Sequence, residues 1–580
     1  MNDPTNPADS PSLTSEPDKT SELLDEQDAG QIAGETFVQV GATTVETGPL
    51  AQPAKAQPST GRSAFLVGAG ILISRLVGLI RQRIFAHYFG SSAVGDAFSA
   101  AFRIPNFLQN VFGEGALSAS FIPVYAKLLA QGDEKEATRV ANAVFGLLAL
   151  LTAVIVLVGV LATPYFVTVI AAGFQDERRE LTIKLVRILF PGAGLLVLSA
   201  WCLGVLNSHH RFFMSYTAPV AWNVAIIGAL LLFGNKVDLP RLAELTAWGS
   251  VIGSALQFGV QLPTLVRVLH RLMPVIDVAN AHVRQVVHNF FPVFMSRGVV
   301  QISAFVDAFL ASYLGQGAVV ALTYAQSLYT LPVSLFGMSV SAAELPTMSR
   351  AIGSAEAVAE SLRNRLDQGL HRIAFFIVPS SMAFIALGDV IAAVLYQTGR
   401  FTPADSRYVW AILAGSAVGL LASTLGRLYS STYYALNDTK TPLRFAVVRV
   451  LLTTLLGYLC SLPLPRALGI EPKWGVAGLT ASAGIAGWVE FILLRKTLNR
   501  RIGRTGLPSS YVTKLWAGAG IGAAVGWGLK LLLGQRTPLI MAVVVLGGYG
   551  LTYFGLTALF GIAESKRVIG RGLRILRIAR

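Results

Sequence analysis

The sequence predicts an all-α, polytopic membrane protein with about fourteen transmembrane helices, and three observations lead to this prediction. Apolar side chains make up 53% of the 580 residues and charged side chains 14%, whereas a soluble protein carries about 25% charged residues. Apolar stretches of about 20 residues or more, long enough to cross a bilayer core of ~30 Å, recur from Ser63 almost to the end of the chain. Glycine, which transmembrane helices tolerate better than soluble helices do, is frequent at 56 residues.

The predicted spans follow one another with short connections. They cover 63–89, 95–127, 137–171, 181–206, 215–234, 241–268, 286–315, 318–349, 364–397, 404–435, 443–464, 474–496, 510–533 and 537–562. An even number of spans places both termini on the same side of the membrane. Since the connections on that side are the richer in Lys and Arg, both termini are predicted to be cytoplasmic.

The two ends of the chain differ in charge. Residues 1–60 hold ten acidic side chains, two lysines and few large apolar residues, so they are predicted to be a disordered acidic tail. They do not resemble a signal peptide, because no basic start precedes an early apolar core. Residues 563–580 form a basic cytoplasmic tail that either rests on anionic lipid headgroups or acts as an ordinary topology anchor. The net charge of +15 is spread over short connections, which argues against a nucleic-acid partner.

An internal repeat is indicated by short motifs that recur 222 to 230 residues apart. Ser74-Arg75 pairs with Ser296-Arg297, Phe112-Gly113 with Phe336-Gly337, and Leu206-Asn207 with Leu436-Asn437. The order of these pairs predicts a first lobe at 61–285, a second lobe of six further helices at 286–500, and two additional helices in 501–562. Because six is even, the lobes share one orientation and are related by a pseudo-twofold axis along the membrane normal, with a transporter's substrate between them.

Charged side chains are concentrated in the first two spans. Arg75, Arg81 and Arg83 lie in the first span, and Asp96, Arg103, Asn110 and Glu114 follow at i, i+7, i+14 and i+18 along one face of the second, subject to distortion at Pro105. A charge at the centre of a span costs ~2.5–3.5 kcal/mol and almost always faces a bundle interior or a water-filled cavity. The planar fork of Arg binds phosphate through two hydrogen bonds. The group therefore predicts a cationic cavity for an anionic headgroup, although single members could instead snorkel or form a structural pair.

The second lobe carries fewer charges. Arg297 and Asp307 lie in the seventh span and Arg427 in the tenth. Asp307 is equally compatible with a ligand for a coupling cation, a proton site, or a neutralising partner for an arginine. Cys202 and Cys460 fit small buried apolar residues, and no cofactor or metal site is expected.

Three classes of function compete at this stage. The chain has no HExxH, Walker loop, nucleophile elbow or paired-acid loop motif, which disfavours a membrane enzyme such as a polyprenyl-phosphate glycosyltransferase. A drug exporter would have a more apolar or more acidic cavity. A transporter of a large anionic lipid-linked substrate fits the basic cavity best.

The first two spans resemble a known family. The run SRLVGLIRQRIFAHYFG (74–90), followed by GDAFSAAFRIPNFLQNVFGEGALSASFIPVY (95–125), is similar to the start of the MurJ/MviN family of lipid II flippases, and ALNDTKTP (435–442) is similar to a later loop of that family. The family belongs to the multidrug/oligosaccharidyl-lipid/polysaccharide exporter superfamily. The resemblance implies alternating access between two lobes. The implied cargo is lipid II, the undecaprenyl-pyrophosphate-linked disaccharide-pentapeptide, moved to the outer leaflet of the bacterial cytoplasmic membrane.

By motif match, the family's functional or signature positions are occupied by Ser74, Arg75, Arg81, Asp96 and Glu114, and typically basic positions by Arg103 and Arg427. The chain departs from the family at Gln82 (often Asp), Gln109 (often Arg) and Gln326-Ser327 (an Asp-Arg pair). One hypothesis is that Arg297 supplies the charge absent at Ser327. The departures keep a second cargo open, another polyprenyl-pyrophosphate-linked glycan. The sequence leaves open a coupling to the membrane potential or to a monovalent cation, for which Asp307 is the candidate residue. It also leaves open the protein partners and the oligomeric state.

Overall fold

The computed structural model describes residues 61–578 apart from 113–115, 210, 351–352 and 535. Every regular element in this part of the chain is a helix, and none is a strand. The predicted acidic tail, residues 1–60, lies outside the described residues.

The described residues of the first lobe form nine α-helices. They are α1 (Gly61–Phe89), α2 (Ala93–Asn110), α3 (Ala116–Ser120), α4 (Ile122–Ala130), α5 (Glu134–Leu161), α6 (Thr163–Ile170), α7 (Asp176–Ser208), α8 (Phe212–Phe233) and α9 (Leu239–Leu269).

The second lobe contains eight α-helices within its described residues. They are α10 (Ala281–Ser312), α11 (Ala318–Pro332), α12 (Ser339–Ser349), α13 (Ala355–Tyr396), α14 (Pro403–Ala435), α15 (Lys440–Ser461), α16 (Pro463–Ala467) and α17 (Gly475–Ile502). The chain then continues into α18 (Ser509–Leu533), α19 (Pro538–Met541), α20 (Gly547–Leu559) and the basic α21 (Ala563–Ile578).

The predicted spans coincide with these helices. Ten helical segments of the described chain are long and apolar enough to cross a membrane. The other predicted spans fall on α1, on the segment from α2 to α4, on α8 and on α10. The all-α, polytopic architecture is therefore confirmed.

The second helix of each lobe is interrupted at a matching place. Two π-helical residues, Val111 and Phe112, follow α2, and a π-helical turn at Val333–Met338 follows α11. Phe112 and Phe336, which the sequence repeat pairs, both lie in these turns. The helix α2 continues through Pro105 and is interrupted after Asn110. Neighbouring helices can satisfy the backbone group that a proline frees, so a proline need not end a transmembrane helix.

Glycines bring α9 close to α8 in the first lobe. A Cβ at Gly253 would lie 2.8 Å from the carbonyl oxygen of Trp222, and one at Gly249 would lie 2.6 Å from the Cβ of Ala229. Small residues at four-residue spacing allow transmembrane helices to pack backbone against backbone. This packing fixes the position of Trp222, which matters for the site described below.

The two additional helices dock onto α13 near a break in its helical geometry. Leu387 has φ −128° and ψ 16°, and the indole nitrogen of Trp410 donates to the carbonyl oxygen of Ile385 at 2.9 Å. Beside this break, the Lys530 ammonium of α18 pairs with the Asp389 carboxylate of α13 at 2.5 Å, with 23% and 18% of the side chains exposed. An ion pair that sits this deep stabilises one docked arrangement of the helices.

We expect Lys530→Met to lower the melting temperature of the detergent-solubilised protein. Removing one partner of a buried pair costs ~3–5 kcal/mol because the other charge stays behind, and the partial exposure of this pair should reduce that loss. The double variant Lys530→Met with Asp389→Asn should recover most of the stability. Thermal unfolding followed by scanning calorimetry provides the measurement, and equal melting temperatures for Lys530→Met and the wild type would show that the pair contributes nothing.

Candidate functional site: a cationic chamber between the lobes

A chamber lies between α1 and α2 of the first lobe and α10 and α11 of the second. It holds about 990 Å³ of empty space, part of which is open to solvent. Its polar wall includes Arg81, Gln82, Arg103, Asn106, Asn110 and Gln326, and its aromatic wall includes Phe85, Phe98, Phe102, Phe107 and Phe305. Two arginines face a mostly aromatic wall, as expected of a site for an anionic group attached to a larger molecule.

Arg81 is held by aromatic rings. Its guanidinium carbon lies 5.0 Å from the ring centroid of Trp222 and 5.7 Å from that of Phe102. The Nη1 atom of Arg81 is buried and has no hydrogen-bond partner among the described residues. Arg81 lines the chamber, and this nitrogen is a hydrogen-bond donor that no described residue satisfies.

Arg103 links the two lobes across the chamber. Its Nη2 donates to the Oε1 of Gln326 on α11 at 3.2 Å. The carboxylate of Asp307, on α10, interacts electrostatically with the guanidinium groups of Arg103 and Arg449. The Oδ1 of Asp307 is buried without a hydrogen-bond partner among the described residues. Asp307 is not among the residues that line the chamber, so it is an acid behind the wall that interacts with one of the chamber's two arginines.

A second basic group lies in the second lobe, on α14, α15 and α17. Arg449 pairs with Glu490 at 3.0 Å, and the exposed Arg427 is within electrostatic range of both residues and of Tyr329. Arg427 is absent from the residues that line the chamber. It therefore forms a neighbouring charged region rather than part of the wall beside Arg81.

The lobes meet at one end of the chamber, which we call the closed end. It is formed by residues 87–96, 173–178, 313–320 and 397–402. Across this end, the backbone nitrogen of Arg400 donates to the carbonyl oxygen of His87 at 2.8 Å, and the imidazole Nδ1 of His87 lies 2.8 Å from the Thr398 hydroxyl.

Glycine is required for this close approach. Gly90 has φ +51°, and a Cβ there would lie 2.6 Å from the carbonyl oxygen of Arg400. The carbonyl oxygen of Gly90 also accepts a hydrogen bond from the hydroxyl of the buried Tyr324 at 3.0 Å. The Tyr-Phe-Gly sequence at the end of the first span therefore belongs to the contact between the lobes.

Asp96 is the central side chain of the closed end. It is fully buried, and its carboxylate accepts hydrogen bonds from the backbone nitrogens of Gly317 at 2.6 Å and Val320 at 2.9 Å. These groups belong to the start of α11, where the helix dipole favours a negative charge and the N–H groups lack helical partners. A carboxylate of the first lobe thus caps a helix of the second.

Arg178 completes this contact from α7. Its Nη1 lies 3.4 Å from the Asp96 carboxylate and 3.4 Å from the carbonyl oxygen of Gly315, and its Nη2 donates to the carbonyl oxygen of Gly173 at 3.3 Å. Its guanidinium also lies over the ring of Phe174 at 4.1 Å. Arg178 and Asp96 together connect α2, α7 and α11.

Comparison with known proteins identifies the family. Residues 85–552 match the family model described as lipid II flippase MurJ. This chain belongs to the MurJ family. It is 31% identical to the lipid II flippase MurJ of Burkholderia cenocepacia over 446 residues, which cover 76% of this chain and 84% of that protein. It is 32% identical to a probable lipid II flippase MurJ of Rhizobium tropici, with 75% of this chain and 80% of the relative covered.

Solved structures agree with this assignment. A lipid II flippase MurJ in an inward closed conformation is similar with a TM-score of 0.71 and 26% identity, over 86% of this chain and 98% of that one. An inward-facing multidrug transporter of the MATE family and MOP superfamily shares the fold, with a TM-score of 0.60, 16% identity, and 76% and 98% of the two chains covered. The protein is therefore a multi-pass bacterial inner-membrane protein of a transporter family.

The structure distributes the predicted MurJ site residues over several places. Arg81 and Arg103 line the chamber, whereas Asp96 lies in the closed end. Ser74 and the exposed Arg75 lie on α1, about 10.5 Å and about 9 Å from Arg81 along the helix axis at 1.5 Å per residue. Neither is among the lining residues. Glu114 lies outside the described residues. Arg297 lies on α10, but its side chain falls outside the described part of the structure, so its proposed substitution for the charge absent at Ser327 stays a prediction.

The ALNDTKTP motif has a structural role in the described chain. The Asp438 carboxylate accepts hydrogen bonds from the backbone and hydroxyl of Thr441 and pairs with Arg501 of α17 at 2.7 Å. Burial raises the pKa of Asp438, but these hydrogen bonds and the Arg501 charge outweigh burial and hold the pKa below its ordinary value. The motif thereby fixes the connection between α14 and α15 to the end of α17.

Sequence reasoning missed Trp222 and Arg178. Trp222 lies in an ordinary apolar span, and Arg178 lies in a connection where a basic residue suggests membrane topology alone. No local pattern marks either one, since their importance comes from partners on other helices.

Proposed function

We propose that this protein flips lipid II from the inner to the outer leaflet of the cytoplasmic membrane by alternating access. The observation that carries the proposal is Arg81, which lines a chamber between the lobes of a MurJ-family chain and whose Nη1 has no hydrogen-bond partner in the described part of the structure. The relatives that are named lipid II flippases support the choice of cargo.

The chamber chemistry suits a pyrophosphate. Arg81 and Arg103 would supply two guanidinium groups, and each can donate two hydrogen bonds to phosphate oxygens. The side-chain amides of Gln82, Asn106 and Asn110 offer donors and acceptors for the sugar and peptide of the headgroup. The polyprenyl chain would remain in the lipid. An anion that draws Arg103 away from Gln326 would alter a contact between the lobes, which gives binding a route to the conformational change.

The proposed orientation places both termini in the cytoplasm. The connections on the side of the termini are the richer in Lys and Arg, which supports this orientation. The closed end, with Asp96 and Arg178, then faces outward. The arrangement described here would prevent release to the outer leaflet, and transport would require that end to separate.

Complementation tests the proposed cargo. A strain depleted of its own lipid II flippase should grow when it expresses the wild-type protein, and should fail to grow with Arg81→Gln at the same membrane level. The alternative, another polyprenyl-pyrophosphate-linked glycan, is favoured by Gln326 and Ser327, which replace charged residues of the family pattern. Wild-type protein that reaches the membrane without restoring growth would favour this alternative.

We also propose that Asp307 participates in coupling transport to the membrane potential or to a monovalent cation. Its unpartnered Oδ1 beside Arg103 supports this proposal. The wild-type transport rate in proteoliposomes should fall when the potential is collapsed, since each charge moved is worth ~2.3 kcal/mol per 100 mV. Asp307→Asn should weaken this dependence, and repeating the assay with sodium replaced by choline tests the cation. A wild-type rate that is insensitive to both changes would remove the proposal.

A further inference from the structure

The surroundings of Arg81 contain rings where a carboxylate would be expected. Phe102 of α2 and Trp222 of α8 both place their ring centroids within 6 Å of the guanidinium carbon of Arg81, at distances at which a cation–π interaction is favourable. Among the described residues, no acidic side chain forms an ion pair with Arg81. The adjacent Gln82 carries no charge.

The position of the Trp222 ring is fixed by residues of the neighbouring helices α2 and α9. Its ring stacks on Phe102 with a centroid distance of 5.6 Å and an interplanar angle of 20°. Its indole N–H donates to the hydroxyl of Ser250 on α9 at 3.1 Å. The absence of a Cβ at Gly253 lets α9 approach the backbone of Trp222. Trp222 is not among the residues that line the chamber, so it acts behind Arg81 rather than on a ligand.

Aromatic rings beside Arg81, in place of a carboxylate, leave the N–H donors of its guanidinium unoccupied. A carboxylate beside Arg81 would neutralise its charge and accept its N–H donors, and would thereby compete with an incoming phosphate. An aromatic face stabilises the cation through the ring quadrupole but accepts few of its hydrogen bonds. Arg81 can therefore remain charged in a poorly solvated wall with N–H donors that no carboxylate occupies.

We propose that Trp222 is a positioning residue that, together with Phe102, holds Arg81 charged and oriented for a phosphate or pyrophosphate ester. This inference rests on the proposed function, because it assigns to Arg81 the binding of the cargo's pyrophosphate. It adds a residue of another helix to the site and states how that residue acts.

The test is a series of substitutions at Trp222 in the full-length, detergent-solubilised protein. Tryptophans with one, two and three ring fluorines are nearly isosteric with the natural residue but weaken the ring quadrupole in steps. We expect the Kd for a short-chain polyprenyl pyrophosphate to rise with each fluorine and to reach ~10-fold in Trp222→Leu. Trp222→Phe should recover part of the affinity. In transport, KM should rise more than the maximal rate falls.

Two controls separate this role from a structural one. Trp248→Leu removes an exposed tryptophan of the same lobe and should leave the Kd unchanged. Ser250→Ala removes the hydrogen bond behind Trp222 and should raise the Kd less than Trp222→Leu does. Melting temperatures that stay constant across the fluorinated series would confirm that the fold is intact.

The outcomes distinguish the positioning role of Trp222 from the proposed function. A Kd that stays constant across the fluorinated series, while Arg81→Gln abolishes binding, would overturn the role of Trp222 and leave the proposed function standing. A wild-type protein that does not bind the pyrophosphate, or an Arg81→Gln variant that binds it normally, would overturn both.

Discussion

Asp96→Asn should shift the protein from the closed arrangement to one in which the closed end has separated. The carboxylate of Asp96 accepts two backbone hydrogen bonds at the start of α11 and is fully buried. An amide can accept one of these bonds, but its own N–H₂ group then faces the other backbone donor. Hydrogen bonds to a charged group contribute ~1.5–3 kcal/mol each, so the loss should change the ratio of the two arrangements by about 100-fold.

A distance measurement between the lobes provides the readout. Spin labels can be placed at Lys236, between α8 and α9, and at Arg466, in the short helix α16; both residues are exposed. In a protein whose cysteines are replaced, this pair should give a single distance in the wild type. Asp96→Asn should add a longer distance and sharply reduce transport. Arg178→Gln should act in the same direction but less, since its contact with Asp96 is 3.4 Å long.

Arg179→Gln provides the matched control for Arg178. Arg179 is the next residue of α7 and donates to the hydroxyl of Thr168, away from the contact between the lobes. Its substitution should leave the distance distribution unchanged. If Asp96→Asn also leaves it unchanged, then the capping of α11 does not hold the closed end together.

Replacing Arg81 by Gln should abolish transport while the protein still folds and inserts. The substitution removes the chamber cation with an unpartnered nitrogen and leaves Phe102 and Trp222 without a charge to face. The charge-assisted, two-pronged contact with phosphate is lost, which should lower the rate by at least ~100-fold. Transport of fluorescently labelled lipid II in proteoliposomes provides the measurement.

Two further substitutions test whether the loss of transport is specific to the guanidinium of Arg81. Arg81→Lys keeps the charge but not the planar fork, so it should retain partial activity. Arg267→Gln removes an exposed arginine in the last turn of α9 and should transport normally. Normal transport by Arg81→Gln would show that the chamber is not the cargo site.

The sequence predicted the helices well because membrane insertion is governed by local hydropathy. The spans from 63–89 to 537–562 all fall on helices, and the matched interruptions near Phe112 and Phe336 agree with the repeat that short motifs indicated. The local pattern was less informative about what each polar side chain contacts.

Asp96 illustrates this limit. Its seven-residue spacing from Arg103 places both on one face of α2, and this much is correct. A stripe of that kind runs along the whole helix, so its two ends can meet different partners. One end meets the start of α11 and the other end lines the chamber, and the spacing alone does not reveal this division.

Trp222 illustrates a second limit. It lies more than a hundred residues from Arg81 in the sequence, and the contact depends on the glycine-mediated packing of α8 against α9. Composition marks a tryptophan as part of an apolar span. Its role beside a buried cation becomes visible when the three helices are placed together.

The most direct test of the account measures which leaflet holds lipid II. Purified protein is reconstituted into liposomes that contain lipid II with a fluorescent headgroup label, and a membrane-impermeant reductant is added outside. Wild-type protein should expose label from both leaflets, whereas Arg81→Gln, like empty liposomes, should expose the outer leaflet alone. A wild-type protein, correctly folded and reconstituted under an imposed membrane potential, that exposes no more label than empty liposomes would contradict the account.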